Sequence, residues 1–86
     1  MTDFSPQAVD AIHTREAFVS FVRSLAHDVR ERPDTWENVD LPSFLEAAAA
    51  WAESMDGYYA NRGERLPERP DWRAFALILA AARIYE

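Results

Sequence analysis

Histidines are the side chains through which this chain could most readily do acid–base chemistry. It contains two, His13 and His27, and no cysteine. A catalytic histidine needs a nucleophile or substrate within reach and a third group that orients its ring. No serine or threonine lies in a recognisable nucleophile motif, and His27 precedes Glu31 by four residues, which is typical of a surface pair on a helix. The pattern therefore favours a protein that is not an enzyme.

Carboxylates recur at regular intervals in the middle of the chain, which is one way to build a metal site. Asp34, Glu37 and Asp40 are spaced by three residues, but they lack the glycine and the closing glutamate of a calcium loop. Glu46 and Glu53 are seven residues apart, without the Glu-x-x-His partner of a di-iron bundle. We therefore expect neither a metal nor any other cofactor.

Negative charge is concentrated in one segment of the chain. The 86 residues carry 15 carboxylates against nine cations, all of them arginine, for a formal net charge of −6. Residues 33–63 contain six of the carboxylates and one arginine, so this segment alone carries −5. Such a face attracts a cationic partner and speeds the encounter, but it is also what keeps a small helical protein soluble. The six carboxylates, called the acidic segment below, are Asp34, Glu37, Asp40, Glu46, Glu53 and Asp56.

Periodic apolar residues predict the first two helices that position these side chains. The first is expected over about 14–32, because Thr14 can cap its N-terminus and Pro33 disfavours helical backbone at the preceding residue. The second is expected over 41–62, with Asp40 as its cap. Both helices are amphipathic, so each must bury one stripe against a neighbour.

A third helix completes the predicted fold. Residues 71–85 are apolar nearly all round, which is typical of a helix that is central and buried. The isolated apolar residues of 1–13 indicate an N-terminal arm or a short first turn. The fold class is therefore all-α, a small three-helix domain with a short N-terminal arm, and 1–86 form a single domain.

Two aromatic residues lie beside the carboxylates and are candidate anchors for a partner. Trp36 lies in the connection between the first two helices, and Tyr58 lies at the edge of the apolar stripe of the second. An aromatic side chain next to carboxylates is a frequent component of protein–protein hot spots. One alternative stays open, which is that the connection forms a single turn with Trp36 and Val39 pointing inward.

Three short segments carry a resemblance to a known group of proteins. They are Trp-Glu-Asn at 36–38, Met-Asp-Gly-Tyr-Tyr at 55–59 and Asn-Arg-Gly-Glu at 61–64. Over about 12–86 the chain resembles a family of short bacterial all-helical proteins of unknown function. The family has no assigned activity, so the resemblance implies no catalytic residues. By analogy with other small acidic proteins, it implies an immunity partner of a secreted toxin.

Together these features predict a non-enzymatic protein-binding domain. The leading hypothesis is an immunity or antitoxin-type inhibitor whose acidic face over 33–63 docks on a basic toxin such as a nuclease or deaminase. The alternative is a structural or regulatory module that self-associates through surplus apolar surface on the third helix. The lack of a basic cluster argues against nucleic acid, and the lack of a long apolar stretch or signal peptide argues against a membrane. The expected location is the cytoplasm.

Overall fold

The computed structural model describes residues 4–85, and every regular element within them is helical. Helix α1 spans Pro6–Asp10, α2 spans Arg15–Glu31, α3 spans Leu41–Asn61 and α4 spans Trp72–Ala82, and a 3₁₀ turn over Pro33–Thr35 connects α2 to α3. The prediction of a small all-α domain is confirmed. The three long helices have the predicted starts and ends to within three residues.

Side-chain caps explain where the helices begin. The side chains of Thr14, Asp40 and Asp71 accept the backbone N–H three residues further on, at 3.0, 2.9 and 2.7 Å. Ser5 caps α1 in the same way. Each cap satisfies one of the N–H groups that have no partner within the helix. Just after α3, Gly63 adopts a φ of +69°, a conformation that glycine takes without strain and that ends the helix.

Helix α4 is the centre of the domain. It contacts α1, α2 and α3, whereas α2 and α3 make no direct helix–helix contact within the described residues. Its buried side chains lie on several sides of the helix, as its apolar pattern predicts, and most of them are small, which lets the neighbouring helices approach closely. They are Ala74, Ala76, Leu77, Ala80 and Ala82.

The N-terminal segment belongs to the core, and of the two alternatives for 1–13, an arm or a short first turn, the described residues adopt the short turn of helix, α1. Val9 is 1% exposed and Ile12 is 7% exposed, because α1 packs against α4. The ring of Phe4 meets that of Phe21 edge-on, with centroids 5.7 Å apart. Isolated apolar residues gave no periodic signal, yet they cover a side of α4 that would otherwise face water. Residues 1–3 lie outside the described part.

The first turns of α3 leave part of their predicted apolar stripe uncovered. Leu41 is 68% exposed and Leu45 is 57% exposed, while Phe44 packs against the core. Val39, which one interpretation placed inside, is 50% exposed. The physical reason is that α2 and α3 both pack on α4 instead of on each other, so the face that α3 turns towards α2 stays open.

Replacement of Gly57 by alanine should stabilise the protein. Gly57 lies within α3, and a Cβ added there meets no atom within 4 Å. Gly57→Ala should therefore raise the free energy of unfolding by about 0.5–1 kcal/mol, because alanine loses less backbone entropy in a helix. Urea denaturation measures the change. Gly63→Ala is the matched control and should lower stability, because an alanine is strained at a φ of +69°. An unchanged or lower stability of Gly57→Ala would contradict the assignment.

Candidate partner-binding surface

All six carboxylates of the acidic segment are exposed. None of them forms an ion pair with any of the residues between Phe4 and Tyr85. Asp40 has a structural task as well, because the backbone N–H and the hydroxyl of Ser43 lower the pKa of its carboxyl. The remaining five are free to meet ions or a partner from solution.

The carboxylates fall into two groups by their place in the fold. Glu46, Glu53 and Asp56 project from one side of α3, within about 80° of its circumference at 3.6 residues per turn. The other three lie on the connection that leads into α3. Glu46 also borders an open depression of about 490 Å³, which small side chains of α3 and the ring of Tyr85 line. The surface thus combines a charged strip with a shallow recess.

Arg62, the one cation among residues 33–63, neutralises carboxylates that lie outside the acidic segment. Its Nη2 lies 2.8 Å from Asp10 Oδ2, and its Nε lies 3.6 Å from Glu64 Oε2. Arg73 contacts the same two carboxylates, at 2.8 and 3.0 Å. Hydrogen bonds within this cluster lower the pKa of Asp10 and raise that of Arg62. The cluster ties α1 to the end of α3 and to α4, and it leaves the acidic segment uncompensated.

Tyr58 is held in place on another side of α3, about 120–160° around the helix from its three carboxylates. Its hydroxyl accepts a hydrogen bond of 2.7 Å from Arg62 Nη1. Its ring lies 5.4 Å from that of Trp51 and 5.8 Å from that of Tyr59, measured between centroids. The side chain is half-buried, so part of it still reaches the surface. These contacts fix the orientation of the ring. The role of Tyr58 as an aromatic anchor stays a prediction.

Trp36 lies in the core, so the structure does not place it where an anchor would have to be. It is 8% exposed, and its ring stacks on Phe44 with centroids 5.8 Å apart. Its indole Nε1 donates a hydrogen bond of 2.7 Å to Asp28 Oδ2. The physical reason is that the 3₁₀ turn directs this large ring inward, where its N–H finds a carboxylate. The inward interpretation of Trp36 is thereby confirmed.

Asp28 is a key residue that the sequence interpretation missed. It is 3% exposed, and its Oδ1 accepts hydrogen bonds of 3.0 and 2.7 Å from Arg32 Nε and Nη2. The hydrogen bonds from Trp36 and then from Arg32 lower the pKa of the Asp28 carboxyl. Its spacing from Phe21 and Leu25, seven and three residues, was the available signal, because it puts a carboxylate on the buried side of α2.

An apolar groove, called the α2–α3 groove below, separates the two helices that do not touch. It has a volume of about 270 Å³. Val22 and Val29 line it from α2, Val39 and Leu41 line it from the opposite side, and Leu79 of α4 lies between them. No charged side chain lines this groove. It is the second feature of the surface that could receive a partner.

Two further properties concern the described residues only. No cluster of three or more histidine, aspartate or glutamate side chains there is arranged to hold a metal ion. No helix among those residues has the length and apolar character needed to cross a bilayer.

Comparison with known proteins identifies a family and no further relative. Residues 14–86 match the model of a family described as a family of unknown function, DUF7660. No curated protein and no solved structure matches the chain.

Removal of the Asp28 charge should loosen the connection that carries half of the acidic segment. Asp28→Asn leaves the indole N–H of Trp36 or the guanidinium of Arg32 without a full partner. We expect the free energy of unfolding to fall by about 1–3 kcal/mol, as for other buried polar groups that lose a partner. Urea denaturation measures this, with Glu31→Gln, an exposed acid on the same helix, as the control. Equal stability of the two variants would rule out a structural role for the buried carboxylate.

The effect of Asp28→Asn should depend on pH. Because folding lowers the pKa of Asp28, its contribution to stability is complete above the unfolded value of about 3.9 and is lost as the pH falls through the folded value. The difference in unfolding free energy between wild type and Asp28→Asn should therefore shrink from about pH 5 towards about pH 2. Denaturation at several pH values checks this. A difference that stays constant over that range would show that the charge itself contributes nothing.

Proposed function

We propose that this chain, which belongs to the DUF7660 family of unknown function, is a non-enzymatic protein-binding domain that docks on a cationic protein through its acidic segment. One observation carries the proposal. Six exposed carboxylates have no ion-pair partner in the described part of the chain, while Arg62, the one cation within residues 33–63, is engaged elsewhere. Their mutual repulsion is relieved when a partner supplies the missing positive charge.

The partner class that best fits is a basic toxin, such as a nuclease or a deaminase that acts on nucleic acid. Such an enzyme must present cations to the phosphates of its substrate. The carboxylates of the acidic segment would occupy those cations in place of phosphates and so block the substrate site. On this proposal the chain is a bacterial immunity or antitoxin-type inhibitor that works in the cytoplasm.

The recess beside Glu46 supports a specific mode of contact. Small side chains of α3, including Ala47 and Ala50, line it together with Ser43 and Tyr85. A lysine or arginine side chain has an apolar stem and a charged head. The stem would lie against the small side chains while the head meets the Glu46 carboxylate. Tyr58 lies on another side of α3, so it would act as an aromatic anchor only for a partner that extends around the helix.

Charge reversal on α3 tests the proposal. A triple variant should slow association with a basic partner by roughly one to two orders of magnitude at low ionic strength. It carries Glu46→Lys, Glu53→Lys and Asp56→Lys. The variant should also flatten the salt dependence of the association rate, because long-range attraction is what salt screens. Surface plasmon resonance at several salt concentrations measures both. The probe is a toxic nuclease or deaminase domain sought among the genes that neighbour the gene for this chain, and protection of cells from it is the second readout.

A matched control separates the acidic segment from net charge. The control variant changes the total charge by the same amount at exposed positions outside the acidic segment. It carries Glu16→Lys, Glu31→Lys and Glu68→Lys. This control should retain most of the association rate and the protection. If both triple variants protect equally, or if the wild-type chain fails to bind the neighbouring domain, the proposal is wrong.

A further inference from the structure

Exposed apolar surface is concentrated around the α2–α3 groove. Eight large apolar side chains are exposed among the described residues, and five of them lie at this groove or within one helical turn of it. Contiguous apolar surface of this kind on a small domain marks an interaction site. The five are Val19, Val22, Val39, Leu41 and Leu45.

The exposed residues form a ridge directly beside the groove. Leu41 and Leu45 lie one turn apart on α3 and are the two most exposed of the set. Leu41 also lines the groove, whose opposite wall is formed by Val22 and Val29 of α2. A ridge next to a groove is self-complementary, because a two-fold axis between them puts the ridge of each copy over the groove of the other.

Exposed charges beside the groove, outside its apolar lining, differ in sign between the α2 side and the α3 side. Helix α2 exposes three arginines and two glutamates, a net charge of +1 without its histidine. The connection over 33–40 exposes three carboxylates and no cation. Of these, Glu37 and Asp40 flank the groove-lining Val39 and Leu41. The same two-fold axis brings α2 of one copy against the acidic connection of the other. This arrangement pairs unlike charges, so it is favoured over one in which the two α2 helices face each other.

We propose that the α2–α3 groove is occupied by a second copy of this chain. The ridge of Leu41 and Leu45 from each protomer enters the groove of its partner, and the arginines of α2 face the partner's acidic connection. This interface uses Asp34 and Glu37 of the acidic segment and leaves Glu46, Glu53 and Asp56 on α3 free for the docking surface.

Sedimentation velocity over low to several hundred micromolar concentrations tests the interface. Wild type should shift from monomer to dimer, and Leu41→Asp should weaken the dimer roughly tenfold or more, because it places a charge in the apolar contact. Leu66→Asp is the matched control, a leucine that is 42% exposed in the loop before α4, and it should dimerise like wild type. Circular dichroism should show equal helix content for all three, since Leu41 is exposed in the monomer. A wild type that stays monomeric throughout, including one that binds a different apolar partner at this groove, would overturn the proposal.

A charge swap tests the arrangement of the two copies. The variant with Arg23→Glu and Arg30→Glu should not dimerise, and neither should the variant with Asp34→Arg and Glu37→Arg. Mixed together, the two should form a heterodimer, because one contact between α2 and the acidic connection is then restored with inverted sign and the other is the wild-type pair. Failure of the mixture to associate, with both variants folded, would rule out the two-fold arrangement. Homodimers of either variant as stable as wild type would do the same.

Discussion

An eleven-residue helix that is apolar on nearly all sides must be covered on most of them, and the rest of this fold follows from that requirement. Helix α4 contacts α1, α2 and α3, whereas α2 and α3 do not contact each other in the described structure. The short α1 is drawn into the core because two long helices leave one side of α4 open. The α2–α3 groove exists for the same reason, since two helices that share a central support need not close against each other.

The buried carboxylate of Asp28 decides how the connection between α2 and α3 is oriented. A carboxylate removed from water is costly unless its lone pairs are satisfied, and here Arg32 and the indole of Trp36 satisfy them. Because the indole must point inward to do so, the neighbouring Asp34 and Glu37 are left facing solvent. One buried acid thus helps to present two exposed ones, which is how a core contact contributes to the charge of the surface.

Local signals in the sequence were sufficient for the helices but not for their mutual arrangement. Thr14, Asp40 and Asp71 could be recognised as caps because capping depends on residues three positions apart. The stripe that includes Leu41 and Leu45 was recognised as apolar, but periodicity reports which face is apolar and not whether a neighbour covers it. The burial of Trp36 depends on Asp28, eight residues earlier and on the far side of Pro33, so no local pattern could decide between the inward interpretation and the anchor interpretation. The candidate site was therefore predictable in its charge and not in its aromatic contacts.

The ion pair between Asp10 and Arg73 joins positions 63 residues apart, and this separation bears on how the chain is made. A ribosome releases α1, α2 and α3 before α4, the helix on which all three pack. Until α4 emerges, the apolar faces of the earlier helices have no native surface to cover, and α1 has too few residues to persist alone. The domain therefore folds after its last helix is synthesised and as one cooperative unit. Ribosome-bound chains that stop short of α4 expose apolar surface that the finished domain buries.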